Sequence, residues 1–216
     1  MNEQTSATVR PGRRGPALAF FAKAPQPGQV KTRLCPPLTP EEAAGLYRGF
    51  LQHLLRPHPG ATTYVFGTPA ERLGELRALA RGPIEVYAQR GEDLWCRLAA
   101  CVADLLAAGH DRVVVRNTDS PDLPAARVDE ALAACAPGRV VLGPDAGGGY
   151  YLIGLATPAP GLFDLADTRA EDVCARTVAR AAELGLSVLE LAVERDVDTY
   201  DDLLALWAAR GAPTGR

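Results

Sequence analysis

Short apolar runs alternate with longer, helix-patterned stretches along this chain, and that alternation restricts its fold more than any other feature. The clearest run lies in residues 112–124, RVVVRNTDSPDLP, where three consecutive valines give way abruptly to polar turn residues. An apolar run of this length, bounded by turn residues, reads as a strand buried on both faces of a parallel sheet. Further strands are expected at 17–22, 62–66, 84–87, 140–142, 150–155 and 187–191. Helices are expected over 40–55, 69–80, 94–108, 125–135, 171–184 and 200–210, with 164–168 irregular. Thr39, Pro40 and Glu42 form a capping-box start for the first helix. Leu94, Leu98, Val102 and Leu105 mark the apolar face of the third, which Gly109 ends. Asp198 or Thr199 is placed to cap the last. Strand and helix in regular succession imply an α/β fold with a mostly parallel central sheet flanked by helices.

The 216 residues suit one domain, expected over 16–212 behind a polar, disordered tail at 1–15. A formal net charge of −3 excludes the basic footprint of a nucleic-acid binder. No apolar run approaches the roughly 20 residues of a membrane span. The five cysteines, Cys35, Cys96, Cys101, Cys135 and Cys174, are odd in number and never spaced C-x-x-C. They read as small core residues in a reducing compartment, not as a disulfide framework or zinc site. Arg13-Arg14 precedes an apolar run too short for a secretory leader, so a cytoplasmic location is expected. His53 and His58 read as surface residues, and Trp95 and Trp207 as packing residues.

In open α/β sheets ligands bind beyond the carboxyl ends of the strands. Asn117-Thr118-Asp119-Ser120-Pro121-Asp122 stands at such an end, and its two carboxylates suit a hard divalent cation that in turn holds a phosphate chain. Asp119 is expected to take the cation. Asp122 either joins it or caps the following helix. The loop after the first strand, 23–34, carries Lys23 and Lys31, the only two lysines among 23 Lys and Arg residues. A compact ammonium on a flexible stem suits phosphate capture and release, so both are expected to face phosphates. The P-loop pattern is absent. Gly147, Gly148 and Gly149 allow close backbone approach to a ligand. A second acidic loop, Asp196-Val197-Asp198, precedes the last helix.

These pieces together resemble the DUF2064 family, glycosyltransferase-A-like transferases related to 2-phospholactate guanylyltransferases. The resemblance rests on Phe21-Ala22-Lys23-Ala24-Pro25, Pro27-Gly28, Val30-Lys31-Thr32-Arg33-Leu34, 118–124 and 148–155. It extends to Gln89, Gly91, Asp93-Leu94, Arg97-Leu98, Asp196-Val197-Asp198-Thr199 and Asp202-Leu203. It implies a nucleotide-diphospho-sugar transferase fold, with Lys31 and Arg33 on phosphates. By similarity Asp119 is the main ligand of Mg²⁺ (or Mn²⁺), and Asp198, or else Asp196, completes the site. Lys23, Gly28, Gly148 and Gly149 fall in the motifs that would cradle the nucleotide. Four positions depart from the family pattern: Asn117 stands for Gly, Gly147 for Asp, His53 for an acid, and Ala166-Asp167-Thr168 for Trp-Ser-Thr. The nearest acid to Gly147 is Asp145.

The expected activity is a Mg²⁺-dependent nucleotidyl transfer from a nucleoside triphosphate to a small phosphorylated or phosphonylated acceptor, with release of pyrophosphate. Two alternatives are glycosyl transfer from a nucleotide sugar and nucleotide binding without catalysis. The expected partners are small molecules, with no nucleic acid and no membrane; a homodimer is compatible with such a chain.

Overall fold

The computed structural model describes residues 8–159, 161–165 and 167–211. Its strands are β1 Pro16–Lys23, β2 Thr62–Thr68, β3 Glu85–Ala88, β4 Arg112–Arg116, β5 Arg139–Pro144, β6 Tyr150–Leu155 and β7 Ser187–Glu190. Its helices are α1 Pro40–Leu54, α2 Leu73–Leu79, α3 Leu94–Ala107, α4 Ala125–Ala134, α5 Val173–Glu183 and α6 Tyr200–Ala209. The strands form one sheet in the order β3-β2-β1-β4-β6-β5-β7. Pairing is parallel except where β6 runs against β4 on one side and β5 on the other. The turn 145–149 folds β6 back as a hairpin, so the glycine-rich turn comes to the end of the sheet where β1 and β4 also finish.

The triple-valine run shows why the strands carry so little polarity. Val114 packs with Leu18, Phe20, Leu51 and Leu132 on one face, while Val113 and Val115 pack with Ala17, Ala19, Leu105 and Ile153 on the other. Each face is covered by helices, and alternate side chains of one strand enter opposite cores. Thr39 caps α1 with Glu42 in the expected box, and the first turn carries Pro40. Thr199, not Asp198, caps α6, in a box closed by Asp202.

Four expectations need correction. Residues 8–15 are not a free tail: Val9 is buried in the core, and the Arg13 amide donates to the Ala108 carbonyl at 3.0 Å. Residues 1–7 and 212 lie outside the described residues. Leu94 does not belong to the buried face of α3, because its side chain overhangs the end of the sheet and is 49% exposed, against 6% for Leu98. Cys96 is exposed and Cys35 half-buried, while Cys101, Cys135 and Cys174 are in the core as expected. The expected helix over 69–80 opens with a 3-10 turn, and α2 proper starts only at Leu73.

The contrast within α3 is measurable. Leu98→Ala should cost about 2–5 kcal/mol, the usual cost of emptying a core leucine site, whereas Leu94→Ala should cost less than about 1 kcal/mol. Urea denaturation of both variants checks it. Equal losses would mean that Leu94 is packed after all.

Candidate active site

Six connections meet beyond the carboxyl ends of the parallel strands: those after β1, β3, β4 and β7, the β5–β6 turn, and residues 168–171 ahead of α5. They enclose a cleft of ≈ 830 Å³ and an adjoining pocket of ≈ 480 Å³, sizes ordinary for small-ligand sites. Phe21, Arg33, Leu94, Asn117, Asp119 and Asp198 line both. Asp145, Gly147, Gly149, Glu171, Arg195 and Asp196 line only the larger, and Lys23, Lys31, Tyr47, Gln89 and Arg97 only the smaller.

Lys31 is at the centre. It is the one described residue other than glycine with positive φ, at 49°. That backbone turns its side chain inward, leaving it 4% exposed. Its ammonium donates to the Val197 carbonyl at 2.7 Å and to Asp198 Oδ1 at 3.2 Å, and it is ion-paired with Asp119. An ammonium has three N–H donors, and here three acceptors surround it. Lys31 therefore does not present a free cation to the cleft, as the sequence reading expects; it ties the β4 and β7 loops together. The Val197 amide adds a bond to the Asp119 carbonyl at 2.9 Å. Arg33 faces solvent, 68% exposed, with Nη1 at 3.4 Å from Asp198 Oδ2.

Asp196 faces the same cleft from two residues before Asp198, as an extended segment requires. Its carboxylate accepts from Asn117 Nδ2 at 2.8 Å and from the Ser120 hydroxyl. Burial, with Asp119 and Asp145 nearby, pushes its carboxyl up to about 6, although the Ser120 and Asn117 bonds pull the other way. Beneath the loop, Arg116 donates to the Asn117 and Ser120 carbonyls at 3.1 and 2.8 Å, and burial lowers its guanidinium to about 10. The Thr118 hydroxyl is 2.7 Å from Tyr47 Oη and donates to the Phe21 carbonyl at 3.1 Å. Gln89 Nε2 reaches the Phe66 carbonyl at 2.9 Å and fixes the β3 loop to the end of β2.

The remaining sequence candidates separate. Lys23 is exposed at the end of β1 and lines the smaller pocket. Gly149 lines the cleft, where its amide and that of Gly147 donate to Asp145 Oδ1 at 3.1 and 2.7 Å. Asp145 thus shapes the turn and presents a carboxylate in the region where the family pattern has its acid. Gly148 lines neither cavity; an added Cβ would sit 2.0 Å from the Glu171 carbonyl oxygen, so the glycine lets the turn pack on the start of α5. Gly28, at φ 72°, turns an exposed loop and lines neither cavity. Asp122 is not brought to the site: it pairs with Arg210, Nε to Oδ2 at 3.0 Å, and it does not cap α4. Neither Arg195 nor Tyr47 is a sequence candidate, and Asn117 and Ser120 enter the sequence reading only as members of the Asp119 loop. Arg195 directly precedes Asp196 of the second acidic loop, but nothing local to Tyr47 signals a place at the cleft.

Among the described residues no three His, Cys, Asp or Glu side chains converge as a cage for a metal ion. Mg²⁺ is ordinarily held by one or two carboxylates plus waters and substrate phosphates. Asp119 and Asp198, from different loops and flanking one cation, are a donor set of that kind.

Asp196 titrates above its unfolded value, so between about pH 4 and 6 the folded state binds more protons than the unfolded. Stability should therefore fall as pH rises through that window. In chelator-treated buffer, Asp196→Asn should remove that part of the fall. Identical pH profiles for the two proteins in urea denaturation would contradict the burial of this carboxylate.

A sequence model of DUF2064, described as an uncharacterized protein conserved in bacteria, matches residues 52–169. Among curated proteins, none matches this sequence. A crystal structure from Desulfovibrio desulfuricans G20, provisionally named a nucleotide-diphospho-sugar transferase, is 32% identical, covers 92% of this chain and 89% of its own, and superposes with a TM-score of 0.83. A nucleotidyl transferase from Methanothermobacter thermautotroptrophicus is similar in fold at 16% identity and TM-score 0.53, over 89% of this chain and 96% of its own. A cytidylyltransferase from Leptospira borgpetersenii gives 13% identity and TM-score 0.52, over 91% and 94%. With its blocks of motif in order, its mostly parallel sheet and its ring of loops, the chain belongs to the DUF2064 family and has the nucleotide-diphospho-sugar transferase fold.

Proposed function

We propose that the protein is a nucleotide-dependent transferase that joins a nucleoside triphosphate to a small phosphorylated or phosphonylated acceptor and releases pyrophosphate. The observation that carries this reading is the meeting of Asp119 and Asp198 around the Lys31 ammonium at the strand ends, with the exposed Arg33 reaching Asp198 from the solvent side. The names borne by the Desulfovibrio, Methanothermobacter and Leptospira proteins supply the class of chemistry.

In this reading an acceptor oxygen forms a bond to the α-phosphorus, the bond from that phosphorus to the bridging oxygen breaks, and pyrophosphate takes the electron pair. A divalent cation, when bound, neutralises charge developing on the phosphate oxygens. Asp119 and Asp198 would hold it. Arg33 would meet the phosphate tail from the solvent side. Arg195, exposed on the cleft wall, would take the acceptor's phosphoryl or phosphonyl group. Leu94 and Phe21, apolar and shared by both cavities, would cover the nucleoside.

Glycosyl transfer from a nucleotide sugar is the second reading, favoured by the name of the Desulfovibrio relative. There the same acids would hold a cation that in turn meets the leaving nucleoside diphosphate, and Asp145, within the same cleft, would accept the acceptor's proton. Incubation of each of the four nucleoside triphosphates, and in parallel of nucleotide sugars, with a pool of phosphorylated acceptors, followed by assay of pyrophosphate and nucleoside diphosphate, separates the two. Pyrophosphate release dependent on acceptor and Mg²⁺ is expected; release of nucleoside diphosphate from nucleotide sugars, without pyrophosphate, would replace the first reading by the second. Binding of nucleotides with no turnover at all would make the protein non-catalytic.

Asp119→Asn should remove several kcal/mol of transition-state stabilisation, a loss of at least about a thousandfold in turnover, with the far-ultraviolet circular dichroism unchanged. Near-normal turnover in that variant would reduce Asp119 to a loop contact.

A further inference from the structure

The three acceptors around Lys31 carry an inference that rests on the proposed cation site. A phosphate-binding lysine keeps N–H donors free for its ligand. Lys31 is already engaged: it donates to Val197 O and to Asp198, it is ion-paired with Asp119, and its side chain is 4% exposed. The face of the Tyr47 ring lies below the ammonium, 5.9 Å from centroid to Nζ. Tyr47 is itself fixed by Thr118 and by the Lys23 amide. The two carboxylates that suit a divalent cation thus already share a cation belonging to the chain.

We propose that the Lys31 ammonium is a resident counter-cation that competes with the divalent metal for Asp119 and Asp198, so that the metal enters only as Lys31 releases at least one of them. With no ammonium present the two acids, drawn from loops 79 positions apart in sequence, would repel each other and splay. Lys31 holds them together in the absence of ligand. When the metal displaces it, the freed N–H group becomes available to an anionic oxygen of the ligand. The same lysine then serves first the acids and afterwards the phosphates, which reconciles its buried position with the phosphate role expected from sequence. Metal alone must overcome the ion pairs and so binds weakly; metal that arrives with a phosphate chain gives the released ammonium a new partner.

The test uses metal binding without any nucleotide. Lys31→Met keeps the length of the stem and removes the charge. Calorimetric titration with Mn²⁺ should show at least about tenfold tighter binding to Lys31→Met than to the wild type, because an attractive competitor has gone. The opposite result, equal or weaker binding to the variant, would overturn the proposal. Should Lys31→Met not fold, the wild type still decides it. Only two residues in the chain are lysines, so selective ¹³Cε-lysine labelling gives one signal from Lys31 and one from exposed Lys23. Saturation with Mg²⁺ should move the Lys31 signal and leave that of Lys23 in place; an unmoved Lys31 signal at saturation would sink the exchange. These readouts are independent of turnover. Tighter metal binding by the variant together with a wild type that has no transferase activity would refute the proposed function and leave this inference standing, and equal binding by the variant with an active wild type would do the reverse.

Discussion

One ammonium group joins three connections that otherwise share no secondary structure. Lys31 sits on the loop after β1, Asp119 after β4, and Val197 and Asp198 after β7. Its left-handed backbone costs on the order of 1 kcal/mol or more for a residue with a side chain. Such a conformation persists where surrounding contacts over-determine it, and the contacts here are three acceptors converging on one Nζ. Loops at strand ends are ordinarily the least ordered part of an α/β domain. In this protein the ion pairs, the Val197–Asp119 backbone bond and the Asn117–Ser120–Asp196 cluster turn them into a walled cleft.

The sheet explains why these loops meet at all. Parallel strands all deliver their following loops to one end, and the β5–β6 hairpin adds its glycine-rich turn at that end. Helices on both faces bury most side chains of the central strands, so chemistry gathers at the rim. Asp145, drawn in by the Gly147 and Gly149 amides, supplies an acid at the rim although position 147 carries none. A shift of two residues in sequence is absorbed by a turn whose backbone folds around the carboxylate.

Much of this was legible in the sequence because its signals are local. The valine run, the Thr39–Glu42 box and the turn residues after each strand all act over a few residues, and the elements they imply are present. The DUF2064 motifs led to the same rim. What stayed illegible depends on distant partners. Asp122 looks identical to Asp119 as a loop carboxylate, yet it meets Arg210, 88 residues on. Lys31 reads as a free loop cation until Asp198, 167 residues away, is placed beside it. Leu94 carries the period of a buried helix face, but the first turn of α3 projects past the sheet and leaves it over the cleft. The packing of Val9 depends on a groove that several distant elements create.

The central claim is that this ring of loops is where a phosphate-bearing nucleotide binds. Hydrogen–deuterium exchange with and without a saturating nucleoside triphosphate and Mg²⁺ tests it without assuming any reaction. The account predicts slowed exchange in 29–34, 89–97, 117–120, 145–150 and 196–199, with the strands and the outer helices unchanged. Protection confined to some other face of the domain, or none with any of the four triphosphates, would contradict it.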